Sequence, residues 1–201
     1  GDGGRGGAAG RGEAGRRENP GVDAGLGLDG AGGGEDSYPG TLLCTHGTMN
    51  NSGDAIKITV KGKDAHGSQP QLGVDAISVA ARIVVALEEL TAKEIPTKED
   101  TVVLVGKIVG GTTCNTMAGE TVMEISVRTQ GHEERAYLKR RVKEIAQGIA
   151  AAFRAEAEVE YQYGMPPLVN GEAMMNEFLG YMREIMPADQ VREVPKAGYY
   201  T

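Results

Sequence analysis

The stretch AIKITVKG, residues 55–62, decides the fold, because apolar and polar side chains alternate along it. One face would carry Ile56, Ile58 and Val60, and the other would carry Lys57, Thr59 and Lys61. Successive side chains of a β-strand point to opposite faces, so this period of two predicts a half-buried strand. The strand gives a fixed point from which the rest of the chain can be interpreted.

The segments that follow change between helical and strand periodicity. Residues 74–90 and 132–153 repeat apolar residues every three or four positions, which predicts one buried stripe on each of two helices. The stripes are Ile77, Ala80, Val84 and Leu87 in the first helix, and Leu138, Val142, Ile145, Ile149 and Phe153 in the second. Further strands are predicted in the β-branched run at 101–111, in ETVMEISVRT at 120–129 and in AEVEYQYG at 157–164. A last amphipathic helix is predicted over 172–186.

The resulting order is β-α-β-β-α-β, which is typical of the ferredoxin-like, split-βαβ arrangement. The sequence therefore predicts an α/β (α+β) fold, with two helices on one face of a four-stranded antiparallel sheet. The other face would be polar and either exposed or covered by a partner. A ligand-sensing domain, a dimerisation module and an enzyme part are all compatible with this fold, because the fold alone does not define a function.

Composition excludes several partners. The net charge is -7 and the pI is about 5.1, so the chain would repel a phosphate backbone and we expect no nucleic-acid partner. No apolar run is long enough to span a bilayer, so we expect no membrane partner. Cys44 and Cys114 are too few for a disulfide framework, and we expect reduced thiols in a cytoplasmic protein.

Residues 1–40 differ from the rest, because they hold more than half of the chain's 31 glycines and almost no large apolar side chain. Glycine at this density is typical of poorly packed or disordered chain. A glycine-rich phosphate loop is disfavoured, because the stretch lacks the G-x-x-x-x-G-K-[ST] motif and a preceding strand.

Three separated motifs point to a known family. They are GTLLCTHGTMNNSGDAIKITVKGKDAHGSQPQLGVDAI at 40–77, VGKIVGGTTCNTMAGETVMEISVRT at 105–129 and YGMPPLVN at 163–170. In this order they resemble the lid, or dimerisation, domain of the two-zinc amidohydrolase and peptidase family. That family includes aminoacylases, hippurate hydrolases, N-acyl-amino-acid amidohydrolases and auxin-conjugate hydrolases. The resemblance covers most of residues 40–195.

The resemblance implies roles for five residues. His66, which without the surrounding motif is typical of a solvated residue in a turn, matches the lid histidine that polarises the scissile carbonyl, often in the neighbouring subunit's site. Asn115 and Arg128 match residues that bind the substrate. Arg128 matches an arginine that holds the carboxylate of the substrate. Gly110 and Gly111 would let the backbone turn closely beside the substrate. Asn115 is also compatible with a simple left-handed turn and Arg128 with a surface strand position. His46 and His132 are expected to be surface residues.

The metal ligands of the resembled family are largely missing. GGA at 6–8, ENP at 18–20 and VDA at 22–24 look like the stretch that precedes the lid. In that stretch Asp2, Gly3 and Asp29 occupy positions where the family has Glu, Glu and His. The full family enzyme is expected to use zinc or another divalent metal, and we expect none to be bound by this chain.

These observations define our expectations. Residues 1–40 would be a degraded remnant of a catalytic domain, 41–165 the lid, and 166–201 the truncated start of the return to the catalytic domain. The chain would be the lid-bearing portion of an amidohydrolase that cleaves N-acyl amino acids, inactive in isolation and homodimeric. The alternative is a stand-alone, non-catalytic dimerisation module, with the strand near Thr101 or the first helix meeting its twin.

Overall fold

Residues 40–95 and 101–194, which the computed structural model describes, form three α-helices and ten strands. Predictions that fall on residues 1–39, 96–100 and 195–201 lie outside this part of the chain. The helices are Ala76–Glu94 (α1), His132–Ala152 (α2) and Glu172–Ile185 (α3). The strands are Leu42–Cys44 (β1), Gly47–Asn50 (β2), Gly53–Lys61 (β3), Ala65–His66 (β4), Val102–Gly110 (β5), Thr116–Met117 (β6), Glu120–Arg128 (β7), Glu156–Met165 (β8), Leu168–Asn170 (β9) and Val191–Glu193 (β10).

The chain divides into two compact units. Ser52–Pro166 forms one unit, and the described residues before and after it form the other. The first boundary differs from the lid start expected at residue 41. The reason is that β1 pairs with β10 and β2 pairs with β9, so residues 41–51 are bonded to the segment near the end of the chain.

The larger unit contains a four-stranded antiparallel sheet in the order β5-β7-β3-β8. The chain runs β3-α1-β5-β7-α2-β8, so each helix connects two strands that have a third strand inserted between them. This is the ferredoxin-like arrangement, and the predicted fold class is confirmed. The strands β5 and β8 form the two edges of the sheet.

The core lies between the helices and one face of the sheet. In β3 and β7 the register pairs Ile56 with Ile125 and Ile58 with Met123, and all four side chains are buried. The alternation predicted for both strands is therefore confirmed. Removing such side chains from water is the main stabilising contribution, at about 1.5–3 kcal/mol for each large apolar residue.

The predicted helix stripes were partly wrong. Ala80 and Leu87 are buried as expected, but Ile77 is 44% exposed, and the buried face of α1 also includes Val79, Ile83 and Leu90, which the predicted stripe left out. Phe153 was placed on the buried stripe of α2, yet it follows the helix, is 43% exposed and packs under the guanidinium of Arg82. The other four residues of the α2 stripe do line the core, Leu138 and Val142 fully and Ile145 and Ile149 in part, so only its last position was wrong.

The smaller unit packs α3 through Met175 and Leu179 against Cys44 and Val191. Its helix confirms the amphipathic segment predicted over 172–186. Within the described residues, no helix is both long and apolar enough to cross a membrane.

Candidate functional site

A short two-stranded ladder brings His66 and Asn115 to the same place. His66 in β4 pairs with Thr116 in β6, and the N–H of Gly67 donates to the carbonyl of Asn115 at 2.8 Å. The ladder is anchored beside β7, because the N–H of Gly119 donates to Asp64 at 2.8 Å. The two polar residues predicted to face the substrate are thus held together by backbone bonds.

The His66 ring is oriented by Ser68. The N–H of Ser68 donates to Nδ1 of His66 at 3.2 Å, and the Ser68 hydroxyl lies 2.8 Å from the same nitrogen. A backbone N–H can only donate, so Nδ1 is an acceptor and the neutral ring carries its proton on Nε2. His66 is exposed, and Nε2 has no partner among the described residues. The ring therefore presents a free N–H donor.

The Asn115 amide is oriented in a similar way. The hydroxyl of Thr113 donates to Oδ1 of Asn115 at 2.9 Å, which directs the amide oxygen back into the loop. The amide nitrogen has no partner in the described part of the chain. Asn115 thus adds a second unused N–H donor, on a loop whose backbone is bonded to the residue that follows His66.

Gly110 and Gly111 shape the loop that leads to Asn115. A Cβ at Gly110 would lie 2.3 Å from the hydroxyl oxygen of the buried Thr121, so a side chain there is excluded by the neighbouring strand. Gly111 has φ +78°, a left-handed conformation that favours glycine. The turn geometry explains both glycines, and their contact with substrate stays a prediction.

Arg128 lies at the opposite end of β7 from this donor pair. Glu120 begins the strand beside the ladder, and eight residues of extended chain place Arg128 about 26 Å farther along. Arg128 is half-buried, and no described residue pairs with its guanidinium. One subunit therefore does not bring Arg128 together with His66 and Asn115.

Arg128 lines a groove of about 590 Å³ on the sheet. Lys107 also lines it, but its ammonium is bonded to Glu124 at 2.7 Å. Asp54 is neutralised by Arg135, whose two nitrogens each bond its carboxylate at 2.6 Å. Among the described groove residues, Arg128 is the cation without a partner, which favours an anionic ligand at that position.

The Asp54 carboxylate beside this groove accepts hydrogen bonds from both Arg135 and Gly164. Its side chain is fully buried, and it accepts the N–H of Gly164 at 2.9 Å. Burial is the largest single influence and opposes ionisation, but the bonds from Arg135 and Gly164 together outweigh it. They hold the pKa of Asp54 below its usual range. Burial beside Asp54 raises the pKa of Tyr161 to about 12.

The described residues do not fit a metal centre. No group of three His, Cys, Asp or Glu side chains in the described ranges is arranged to hold an ion. Asp2, Gly3 and Asp29 lie outside the described ranges. What was predicted for these three positions therefore stays a prediction. His46, predicted to be a surface residue, contacts Glu193 at 3.3 Å within the smaller unit.

Sequence reasoning missed the residues that orient the site. The spacing of Ser68 two residues after His66 was a usable signal, because serine and the N–H at that spacing can reach back to a preceding side chain. Thr113, two residues before Asn115, carried the same signal. Asp54 and Arg135 are 81 residues apart, and nothing local connects them.

The larger unit is therefore a ferredoxin-like domain with unpaired N–H donors on His66 and Asn115 near one end of β7 and the unpaired guanidinium of Arg128 at the other end. A family model described as the peptidase dimerisation domain matches residues 52–154, which is half of the chain. The chain belongs to this family, the dimerisation domain of the M20 peptidases.

Curated relatives are deacetylases and hydrolases. N-acetyl-L-cysteine deacetylase of Bacillus subtilis is 34% identical over 154 residues, covering 77% of this chain and 36% of the relative. N-acetyldiaminopimelate deacetylase of Bacillus cytotoxicus is 31% identical over 145 residues, covering 72% of this chain and 39% of the relative. An uncharacterised hydrolase of Sinorhizobium fredii is 36% identical over 154 residues, covering 77% and 38%. The chain spans less than two fifths of the length of these relatives.

Solved structures confirm the fold. A dinuclear metal-binding peptidase of the M20 family from Bacillus subtilis superposes with a TM-score of 0.60 at 24% identity, covering 80% of this chain and 38% of that one. A tripeptidase of Staphylococcus aureus superposes with a TM-score of 0.59 at 22% identity, covering 76% and 40%.

Proposed function

We propose that this chain is the lid-bearing portion of a metal-dependent amidohydrolase that cleaves the amide bond between an acyl group and an amino acid. The single observation that carries the proposal is the pair of unused N–H donors on His66 and Asn115, each oriented by a neighbouring hydroxyl. The names of the two deacetylase relatives support the same substrate class.

His66 and Asn115 would act on the scissile carbonyl. Amide hydrolysis develops negative charge on the carbonyl oxygen, and donors already aimed at that oxygen stabilise the transition state most. Nε2 of His66 and the amide nitrogen of Asn115 would be these donors, because Ser68 and Thr113 occupy the other polar atom of each side chain.

Arg128 would bind the α-carboxylate of the amino acid. A planar guanidinium grips a carboxylate through two parallel hydrogen bonds, and that of Arg128 has no competing partner in the described residues. Its distance of about 26 Å from the start of β7 is too great for one small substrate to reach both groups in one subunit. We therefore propose that the site is completed by a second copy of the chain.

The edge strand β5 is suited to that contact. Leu104 and Val109 are 57% and 59% exposed on it, and Ile77 and Val85 are exposed on α1, which packs beside β5. Antiparallel pairing of two β5 strands about a twofold axis would place Val102 of one copy opposite Gly110 of the other. Val102 pairs with Arg128, and Gly110 leads to Asn115, so the pairing unites the two halves of the site.

The metal would be held by residues other than those described, and we propose zinc or another divalent ion. In this chain Asp2, Gly3 and Asp29 stand where the resembled family has Glu, Glu and His. The isolated chain would accordingly bind substrate without hydrolysing it. The described cysteines, Cys44 and Cys114, are both free, which supports a reducing, cytoplasmic setting.

A second candidate is a dimerisation module with no role in catalysis, which the exposed apolar edge of β5 equally favours. Binding of an N-acyl amino acid separates the two. In an NMR titration with N-acetyl-L-alanine, we expect the ring ¹⁵N signals of His66 to shift, and Asn115→Asp to weaken binding about tenfold. His132→Gln is the matched control histidine and should leave binding unchanged.

The opposite result is also defined. If the dimer forms but no His66 signal shifts at saturating N-acetyl-L-alanine, the non-catalytic module is correct. Calorimetric titration with zinc, together with an assay of amino-acid release, tests the metal proposal. Tight binding of two zinc ions with turnover would contradict the proposal that the isolated chain is inactive.

A further inference from the structure

The guanidinium of Arg128 lies directly over the backbone of Gly53. A Cβ built on Gly53 would be 2.3 Å from Nη1 of Arg128 and 3.5 Å from Cζ, and apart from Gly53 and its two chain neighbours no other described residue comes within 4 Å of it. The backbone of Gly53 is not in the left-handed region, so its conformation does not require glycine. The absence of a side chain at position 53 leaves room for the guanidinium of Arg128.

The backbone of Gly53, which lies under the guanidinium of Arg128, is held in place by the neighbouring strand β8. Gly53 pairs with Met165 in β8, and the register between β3 and β8 then shifts, which leaves Tyr163 and Gly164 opposite Asp54. A Cβ on Gly164 would lie 1.6 Å from the carbonyl oxygen of Gly53, so the two glycines are in close backbone contact. This bulge is held by Asp54, which accepts the N–H of Gly164.

The same bulge is anchored to a helix. Arg135 of α2 bonds Asp54 through two nitrogens, and its side chain is only 14% exposed. Gly53 is thus part of a rigid frame, whereas the tip of Arg128 is the end of a flexible side chain. Of the two, the arginine is the group that would move if space were lost.

We infer that Gly53 is a positioning residue for Arg128, which seats the guanidinium in the groove so that it faces the carboxylate of the substrate. This inference rests on the proposed function, in which Arg128 binds that carboxylate. An alanine at position 53 would displace the guanidinium without disturbing the strand. It would therefore weaken carboxylate binding and leave the stability of the fold unchanged.

The experiment compares binding of two small probes to the full chain. Sodium N-acetyl-L-alaninate carries the carboxylate, and N-acetyl-L-alanine amide is the matched neutral probe. Binding is followed by the ¹⁵Nε–¹H signal of Arg128, assigned by its loss in Arg128→Gln, and by the ring signals of His66. Unfolding in urea is measured in parallel.

We expect the wild-type chain to prefer the carboxylate probe, and Arg128→Gln to abolish that preference. Gly53→Ala should weaken carboxylate binding about tenfold, with the unfolding midpoint unchanged, because a bidentate charge-assisted pair depends on alignment. Gly148→Ala is the control glycine, since a Cβ there would meet nothing within 4 Å. It should bind the carboxylate probe as the wild type does.

Three results would overturn the inference. If Gly53→Ala binds the carboxylate probe within twofold of wild type while Arg128→Gln loses its preference for that probe, Gly53 has no positioning role and the role of Arg128 stands. A wild-type chain with no preference for the carboxylate probe removes the role of Arg128 in the proposed function, and that of Gly53 with it. A Gly53→Ala chain that does not fold shows that the position is glycine for packing within the strand.

Discussion

The two edge strands of the sheet, β5 and β8, differ in the side chains that they expose. The β5 edge exposes Val102, Leu104, Ile108 and Val109, and its one lysine is already bonded to Glu124. The β8 edge presents Glu156, Glu158 and Glu160, and two of these pair with lysines of β3. Unpaired edges invite association unless charge or a bulge protects them. The acidic row on β8 and the apolar row on β5 favour β5 as the edge that the proposed dimer would use.

The largest expected effect comes from placing a charge on the β5 edge. Leu104→Lys should weaken the dimer about 1,000-fold, because a twofold contact contains the substitution twice, at about 2 kcal/mol each. Sedimentation equilibrium over a wide concentration range measures the dissociation constant.

The matched control lies on the other edge. Met165 is 46% exposed near the end of β8, so Met165→Lys makes the same change from an apolar side chain to lysine. It should leave the dissociation constant unchanged within threefold. Equal weakening by the two variants would refute the difference between the edges.

The buried ion pair beside β8 should dominate the stability of that edge. Asp54→Asn removes the partner of a largely buried arginine, and we expect the free energy of unfolding to fall by about 3 kcal/mol. Urea denaturation followed by circular dichroism gives this value.

Glu124→Gln is the comparison on the open face of the sheet. It breaks the pair with Lys107, in which both side chains are more than half exposed, so the loss should stay below about 1 kcal/mol. A loss as large as that of Asp54→Asn would mean that burial does not set the strength of these pairs.

Lowering the pH should remove the contribution of Asp54 to the free energy of unfolding. The pKa of Asp54 is lowered in the folded chain, so ionised Asp54 stabilises the fold above its unfolded pKa of about 3.9. That stabilisation is lost as the pH falls through the lowered pKa. The difference in unfolding free energy between wild type and Asp54→Asn should therefore be constant near neutrality and shrink below about pH 4. A difference that grew with acid would contradict the sign of the shift.

The smallest expected effect is on the orientation of His66. Ser68→Ala removes the hydroxyl at Nδ1 but keeps the N–H of residue 68, so binding of N-acetyl-L-alaninate should weaken only about threefold. The imidazole ¹⁵N spectrum should show less of the tautomer protonated on Nε2. An unchanged spectrum would mean that the backbone N–H alone fixes the ring.

Strong local patterns made the fold predictable from the sequence. The alternation through Ile56 and Ile58 and through Met123 and Ile125 defined two central strands, and both are buried as predicted. The sequence predicted less well which face of α1 is buried. Ile77 lies at the edge of the core, beside Gly110 at the end of β5, and is still 44% exposed. A single sequence does not distinguish an apolar residue that the core covers from one that stays partly exposed.

The candidate site was accessible only in part. His66 and Asn115 were found from motifs, and the structure brings them together through the β4–β6 ladder. The space left by Gly53 for Arg128 depends on two strands that are distant in sequence, and the bulge opposite Asp54 depends on a third. Such contacts arise from register, which the sequence pattern did not specify.

The central claim is that two copies pair through β5 and so unite Arg128 of one copy with His66 and Asn115 of the other. Cross-linking by a short bismaleimide tests it, because Cys114 is exposed and lies next to Asn115, while Cys44 is buried. In one chain, Val102 and Gly110 are about 26 Å apart, but antiparallel pairing places them about 5 Å apart across the dimer. We expect Val102→Cys to give a cross-linked dimer through Cys114, and neither wild type nor Val102→Cys with Cys114→Ser to do so. A dimer that cross-links as well with Cys114 alone would contradict the account.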